Sequence, residues 1–315
     1  MKIMLISDPH LREKEVVCRE EDMYNQVSFK KIIQIRDLYK KHKVDTVVLA
    51  GDVFDRGKDP NHLLLTAMGK HWKYMNFIGI KGQHDINPDT GTGAYDVLPD
   101  LLNSFDDISK GIRHALWLSK YVCFHGSTLI YNPLYESIKS LQVNRDFTNV
   151  LVLHHPIGYD KGLRELNVIK YPLRDLMNDP IFTKFDIILY ADIHEPYIVS
   201  HEDTLWVNTG PLVRTGISAK DHRPHVVIVD TETMIWNRHF LESKMNIKMA
   251  HWEKLKEDKE MKKIAEGVKE QVKDNSNESV IKLLREKMEL VKSDMDGMAY
   301  SWLWNKLEEL EKMRT

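Results

Sequence analysis

The sequence predicts an α/β protein built as a four-layer α/β/β/α sandwich, followed by a helical appendage. Three observations lead there. Short runs rich in Ile, Val and Leu alternate with helical patterns in the first half, as parallel βαβ units do. Strand pairs without intervening helices follow in the second half, so a second sheet packs on the first with helices outside. From about Lys244 strand signals stop and Lys and Glu become dense, which divides the chain into a catalytic region, 1–243, and a helical region, 244–315.

Ile3-Met4-Leu5-Ile6 is the first strand. Gln26 to His42 reads as a helix, because Phe29, Ile32, Ile33, Ile35, Leu38 and Tyr39 form a broad apolar face. It crosses back, so Thr46-Val47-Val48-Leu49 lies parallel to the first strand. Pro60 opens a second helix, whose buried side is Leu63, Leu64, Leu65, Met68 and Trp72. Phe77 to Ile80 is the third strand, Asn87 to Gly93 a loop, and Ala94 to about Asn103 a short helix. His114 to Leu118 and Tyr121 to Phe124 have hairpin spacing, which predicts a more antiparallel second sheet. Asn149 to Leu153 and Ile187 to Tyr190 are strands, with Pro172 opening a helix between them. Leu205 to Val207, Val226 to Val229 and Met234 to Trp236 complete the set as antiparallel strands. In the tail, Met261, Ile264, Val268 and Val272 recur at helical spacing, and two further helices follow.

The totals set bounds. With 315 residues, 42% of them hydrophobic, the chain can bury a full core. Its 45 Lys+Arg against 47 Asp+Glu argue against gross basicity as the source of any nucleic-acid affinity. Cys18 and Cys123 stand far apart, so no disulfide framework is expected and a reducing cytoplasm is the default. No signal-peptide core and no membrane-length apolar stretch occurs, which predicts a soluble protein with no membrane partner.

Five apolar runs end on residues of one chemical kind. The first delivers Asp8 and His10, the second Asp52 and Asp55, the third Gln83-His84-Asp85. The run to Leu153 delivers His154-His155, and that to Tyr190 delivers Asp192 and His194. In open α/β sheets the ligand site lies beyond the carboxyl ends of the strands, so all five meet at one edge. Carboxylates and imidazoles without cysteine suit Mn²⁺, Mg²⁺, Fe²⁺ or Zn²⁺ rather than a thiolate site. One Asp at a strand end is usually a helix N-cap; an ordered set of five is a strong signal.

That order is D-x-H at Asp8 and His10, G-D-x-x-D at Gly51 to Asp55, G-Q-H-D at Gly82 to Asp85, then His154, then A-D-I-H at Ala191 to His194. It resembles the calcineurin-like metallophosphoesterases over roughly residues 1–240. Within them the chain is most similar to the nuclease subunit of SbcCD-type DNA repair complexes. The charged stretch after His10, the run from Asp85 to Leu98, and Ile193-His194-Glu195-Pro196 with Asn208 to Thr215 carry that likeness. The resemblance implies two divalent metal ions, Mn²⁺ first, with Mg²⁺, Fe²⁺ or Zn²⁺ as alternatives. Asp52 matches the bridging carboxylate; Asp8, His10 and His194 complete one metal site, and Gln83, His154 and Asp192 belong to the other. His84 matches the catalytic histidine at the scissile phosphate, a role suited to an imidazole titrating near neutrality. Asp85 is its expected tautomer-fixing partner. A coiled-coil ATPase bound through helices after the catalytic region, and a homodimer through residues 60 to 103, are implied likewise.

Two departures fall on the second metal. Gln83 stands where the family has Asn, and Ala191-Asp192 where it has Gly-His, so the site either works with a harder ligand set or is weakened. Asp55 is read as ordering its loop rather than ligating, His155 as packing under the metal edge with ligation in place of His154 as the alternative, and His222 and His225 as structural. Arg214, in a loop facing the same edge, is a candidate contact for substrate phosphate, with a plain surface Arg as the equal alternative. The Lys30-Lys31 and Lys40-Lys41 pairs read as solvated helix faces. Trp252, Trp302 and Trp304 either dock the tail helices or face a partner. The expected activity is that of a two-metal phosphodiesterase cleaving DNA as an exonuclease, with endonuclease action possible on the same site. A small-substrate phosphoesterase is one alternative, and a non-catalytic scaffold with a metal edge is another.

Overall fold

The computed structural model describes residues 1–13, 25–57, 62–109, 122–128, 133–139, 141–159, 169–213 and 222–242. The chain divides into two units, Met1–Asn246 and Ile247–Thr315, and everything described lies in the first. The expected tail helices, the strand at 114–118 and Pro60 lie outside the described residues.

The elements in order are β1 (Lys2–Ile6), α1 (Asn25–His42), β2 (Thr46–Ala50), α2 (His62–His71), β3 (Asn76–Ile80), α3 (Leu98–Leu101), β4 (Ser104–Asp107), β5 (Val122–Thr128) and α4 (Leu134–Lys139). Then come β6 (Thr148–His154), β7 (Ile157–Gly158), β8 (Tyr171–Pro172), α5 (Leu173–Met177), β9 (Ile187–Ala191), β10 (Tyr197–His201), β11 (Thr204–Asn208), β12 (His225–Asp230) and β13 (Trp236–Phe240). One sheet has the order β13-β12-β1-β2-β3-β4 and the other β10-β11-β9-β6-β5.

Alternating side chains of each strand point to opposite faces, and here both faces are apolar. Ile3, Leu5, Val48 and Ile78 meet Phe124, Val150, Ile187 and Leu189 between the sheets. Met4, Val47 and Phe77 turn outward onto Ile32, Ile35, Leu64 and Trp72. On the far side Leu151, Ile188 and Trp206 pack on Leu134, Ile138, Leu173 and Leu176. These are the four layers, and each such fully buried aliphatic side chain contributes about 1.5–3 kcal/mol.

The second sheet is not mainly antiparallel. β5 pairs with β6, β6 with β9 and β9 with β11, all parallel, and the antiparallel pair is β10 with β11. β12 and β13 do pair antiparallel, but they extend the first sheet beside β1. Strand β4, with one buried apolar residue in Ser-Phe-Asp-Asp, and the half-buried edge strand β10 gave too weak a pattern to be read. The expected helix at Ala94–Asn103 is a 3-10 turn, Ala94–Val97, running into the single turn of α3. Lys31 is buried rather than solvated, its Nζ donating to the Glu242 carbonyl at 3.1 Å. Among the described residues no helix is long and apolar enough to cross a membrane.

Candidate metal centre

The carboxyl ends of β1, β2 and β3 from one sheet and of β6 and β9 from the other meet at one edge. Right after them the backbone turns through conformations that side chains rarely adopt: φ is 42° at Asp8, 45° at His10, 45° at Asp52 and 90° at Asp192. Such geometry costs about 1–3 kcal/mol per residue and persists where the surroundings over-determine it. Here the determinants are visible. His10 N–H donates to the Asp52 carbonyl at 2.9 Å and Leu11 N–H to the Val53 carbonyl at 2.9 Å, tying the first two strand ends together. Asp192 N–H reaches both carboxylate oxygens of Asp8 at 3.1 Å.

Ligand atoms of Asp8, His10 and His194 lie within 4.8 Å of one another, as do those of Asp8, Asp52 and His154. In the first group the Nε2 atoms of His10 and His194 stand 2.8 Å apart. Burial pushes both imidazoles below their ordinary pKa, His10 strongly, so both are neutral with a lone pair to offer. His10 Nδ1 faces Asp55 Oδ1 at 3.6 Å, and Asp55 Oδ2 is paired with Arg12 Nη1 at 2.9 Å.

In the second group His154 Nδ1–H donates to the Ala50 carbonyl at 2.8 Å, which turns Nε2 into the cluster. Around that Nε2 stand Gln83 Oε1 at 3.2 Å, Asp52 Oδ2 at 3.5 Å and Asp192 Oδ1 at 3.9 Å. Gln83 Nε2 in turn donates to Asp192 Oδ1 at 2.5 Å. Burial opposes a charge on His154, but Asp52, then Asp8 and Asp192, outweigh it and lift the imidazole to about 10. Burial alone would raise Asp52, yet His154 and His10 hold it below the usual carboxylate range. Burial, with Asp52 nearby, raises Asp8 well above that range. The cluster thus packs the buried carboxyl groups of Asp8 and Asp52 and the half-buried Asp192 around a protonated His154, a place where a divalent cation can take over the role of that proton. Asp52 Oδ1 accepts the His84 N–H at 2.8 Å, leaving Oδ2 between His154 Nε2 at 3.5 Å and His10 Nε2 at 3.7 Å. Hard oxygens with the neutral imidazoles of His10 and His194, and with His154 once it gives up its proton, fit a divalent cation.

The structure brings Asp8, His10, Asp52, Gln83, His154, Asp192 and His194 together. His84 stands exposed at the mouth, its ring 5.3 Å from that of His10. Asp85 does not orient it: Asp85 is buried and its two oxygens accept the N–H groups of Phe54 and Gly82, each at 2.9 Å. The next residue in a turn points away from its neighbour, so the partner of His84 Nδ1 is instead the Asp55 carbonyl at 3.2 Å. Burial, with the charge of Asp52, pushes Asp85 up to about 7. His155 turns under the edge onto Ser127 Oγ at 2.9 Å. His222 and His225 bond to the carbonyls of Pro211 and Arg223, at 2.9 and 3.0 Å. Arg214 lies outside the described residues. Sequence reasoning missed Arg12 as the anchor of Asp55 and Asp8 as a member of both groups. For Asp8 no signal existed, since its shared position follows from the backbone turn.

A sandwich whose two sheets hold such an edge is the architecture of a metal-dependent phosphoesterase. Residues 1–196 match the calcineurin-like phosphoesterase family. The chain belongs to that family. The DNA double-strand break repair protein Mre11 of Saccharolobus solfataricus is 27% identical over 167 residues, 50% of this chain and 42% of that protein. The chain thus spans less than half the length of this curated relative. The TT1561 protein of Thermus thermophilus aligns over 76% of this chain and 99% of its own, with TM-score 0.50 and 10% identity, a likeness of fold alone. A solved archaeal phosphodiesterase aligns over 76% of this chain and 100% of its own, with TM-score 0.41 and 15% identity.

Proposed function

We propose that this chain is a two-metal phosphodiesterase that degrades DNA as an exonuclease of the SbcCD nuclease-subunit type. The observation that carries the two-metal reading is Asp52, whose Oδ2 stands 3.7 Å from His10 Nε2 and 3.5 Å from His154 Nε2, facing both groups at once. Asp8 is less suited to bridge, since its Oδ1 lies nearest the other ring nitrogen of His154, Nδ1, at 3.8 Å. Asp8, His10, Asp52 and His194 would hold one ion, and Asp52, Gln83, His154 and Asp192 the other, with Mn²⁺ the proposed metal. When bound, such ions activate a water, neutralise phosphoryl oxygens and ease departure of the leaving oxygen.

The remaining work falls to the chain. His84 Nδ1–H donates to the Asp55 carbonyl, which fixes the tautomer and keeps Nε2 for substrate on an exposed side chain. Protonated at Nε2, His84 gives that proton to the leaving oxygen. The Ala50 carbonyl keeps His154 in place, and Asp55 with Arg12 backs His10. The DNA substrate is supported by the similarity to Mre11, a DNA repair protein by name. The proposal extends to a cytoplasmic setting, a coiled-coil ATPase partner and a homodimer. For the dimer, Leu63, Tyr74 and Val97, exposed by 52%, 81% and 43%, all fall within 60–103.

The test is nucleotide release from end-labelled single- and double-stranded DNA by metal-stripped protein with Mn²⁺ or Mg²⁺ restored, beside His84→Ala. Metal-dependent degradation lost in the variant supports the reading. Turnover of bis-p-nitrophenyl phosphate without DNA cleavage points to a small substrate, and silence on both to a scaffold.

A further inference from the structure

At the rim of the metal centre two tyrosines face each other from the loops that carry its ligands. Tyr159 follows β7, a few residues beyond His154, and Tyr197 opens β10, just beyond His194. Their rings stack, with centroids 5.2 Å apart and planes inclined by 10°. Tyr197 is half-buried, whereas Tyr159 keeps 60% of its surface exposed. The Tyr159 N–H donates to Glu195 Oε2 at 3.1 Å, which links the two loops. Beneath, Gly158 is pressed so close to Ile169 that an added Cβ would come within 2.5 Å of its Cδ1. The Tyr159 ring is therefore backed by the ring of Tyr197, and its loop is tied to Glu195 and packed on the Ile169 side chain.

Packing does not account for this ring. A tyrosine that leaves more than half its surface in water gains little from burial. One face of Tyr159 is covered by Tyr197, so the exposed surface is its outer face and edge. A flat apolar face beside a phosphate-binding edge matches a nucleobase, whose stacking on aromatic rings is tolerant of sequence. Paired bases inside a duplex present no free face, so only an unpaired base can use it.

Resting on the phosphodiesterase reading above, we propose that Tyr159, backed by Tyr197, is a stacking platform for an unpaired nucleobase next to the phosphate held at the metal centre. The two act as positioning residues for single-stranded ends, and neither takes part in the chemical step.

The test compares two single-stranded oligonucleotides that differ in one point: the nucleotide beside the scissile bond carries a base in one and is abasic in the other. The full-length protein is expected to show a KM roughly tenfold lower for the base-bearing strand. Tyr159→Ala should lose that preference and Tyr159→Phe should keep it. A preference that survives in Tyr159→Ala overturns the proposal, as does a fall on both strands that leaves their ratio intact, which would mark a mere loop brace. If the wild-type protein cleaves no DNA, the nuclease reading fails by itself and binding decides the platform. A 2-aminopurine oligonucleotide added to metal-free protein should then lose emission with wild type and Tyr159→Phe and retain it with Tyr159→Ala; no quenching by wild type overturns the proposal.

Discussion

Gly51 is where the fold and the metal centre press hardest on one another, and replacing it by Ala measures that pressure. Its φ is +88°, a left-handed conformation that costs an L-residue about 1–2 kcal/mol. An added Cβ would also stand 2.5 Å from His154 Nδ1, 2.8 Å from its Cγ and 2.9 Å from the Gly82 nitrogen. These contacts are about 1 Å shorter than a comfortable separation. His154 cannot retreat cheaply, being fully buried and bonded through Nδ1 to the Ala50 carbonyl. Overpacking of this kind costs about 1–3 kcal/mol, so the total for Gly51→Ala is about 2–5 kcal/mol. Gly91 supplies the control, because its φ is +70° and nothing lies within 4 Å of an added Cβ. Gly91→Ala bears the backbone term alone. Urea unfolding of the metal-free variants should therefore separate them by about 1–3 kcal/mol. Calorimetric titration with Mn²⁺ should show weakened binding in Gly51→Ala only, since its methyl group displaces the ring that carries Nε2. Equal stabilities with unchanged Mn²⁺ affinity would refute the close-approach argument.

Two further outcomes follow from the geometry around the histidines. Asp55→Ala removes both the carboxylate facing His10 Nδ1 and the partner of Arg12, and should weaken Mn²⁺ binding by about 10–100-fold by calorimetry; unchanged affinity would show that the backbone alone orients His10. His155 is held at about 3 by burial and by the neighbouring His154, against an ordinary value of 6.5. Between these values the unfolded chain binds the proton and the folded chain does not. Stability is therefore lost as pH falls from 6.5 toward 3, at about 1.4 kcal/mol per pH unit from this residue. Metal-free His155→Gln should show a correspondingly flatter fall in urea midpoint below pH 6.5, and parallel curves would remove His155 as the cause.

What the sequence disclosed tracks how each feature is encoded. Buried parallel strands are continuous apolar runs, so β1, β2, β3, β6 and β9 were legible, and with them the residues their carboxyl ends deliver. Pairing partners are not encoded in a run itself. The strand at Val122–Thr128 has hairpin spacing to the apolar run before it, but spacing along the chain does not set pairing, and its buried faces belong beside β6. Asp85 failed for a related reason: adjacency suggested a partner for His84, but adjacent side chains in a turn diverge, and the carboxylate went to two backbone N–H groups. Residue type and order announce a metal edge; which atom meets which is decided by backbone turns that leave only faint marks, such as Gly51.

Gln83 and Asp192 illustrate the remaining case, in which two departures from a motif explain each other. Taken singly, an amide one methylene longer than Asn is too long, and an Asp in place of His is too short and leaves a carboxylate facing others. In the structure the surplus and the deficit meet, with Gln83 Nε2 donating to Asp192 Oδ1 at 2.5 Å while Gln83 Oε1 stays 3.2 Å from His154 Nε2. The amide thus spans from the imidazole to the carboxylate, and the backbone of Gly82–Gln83 has no need to withdraw. The two residues therefore act as a pair beside the His154 imidazole, where an amide oxygen and a carboxylate oxygen now stand in place of an amide oxygen and an imidazole nitrogen, a set of candidate ligands one oxygen richer and suited to hard divalent cations.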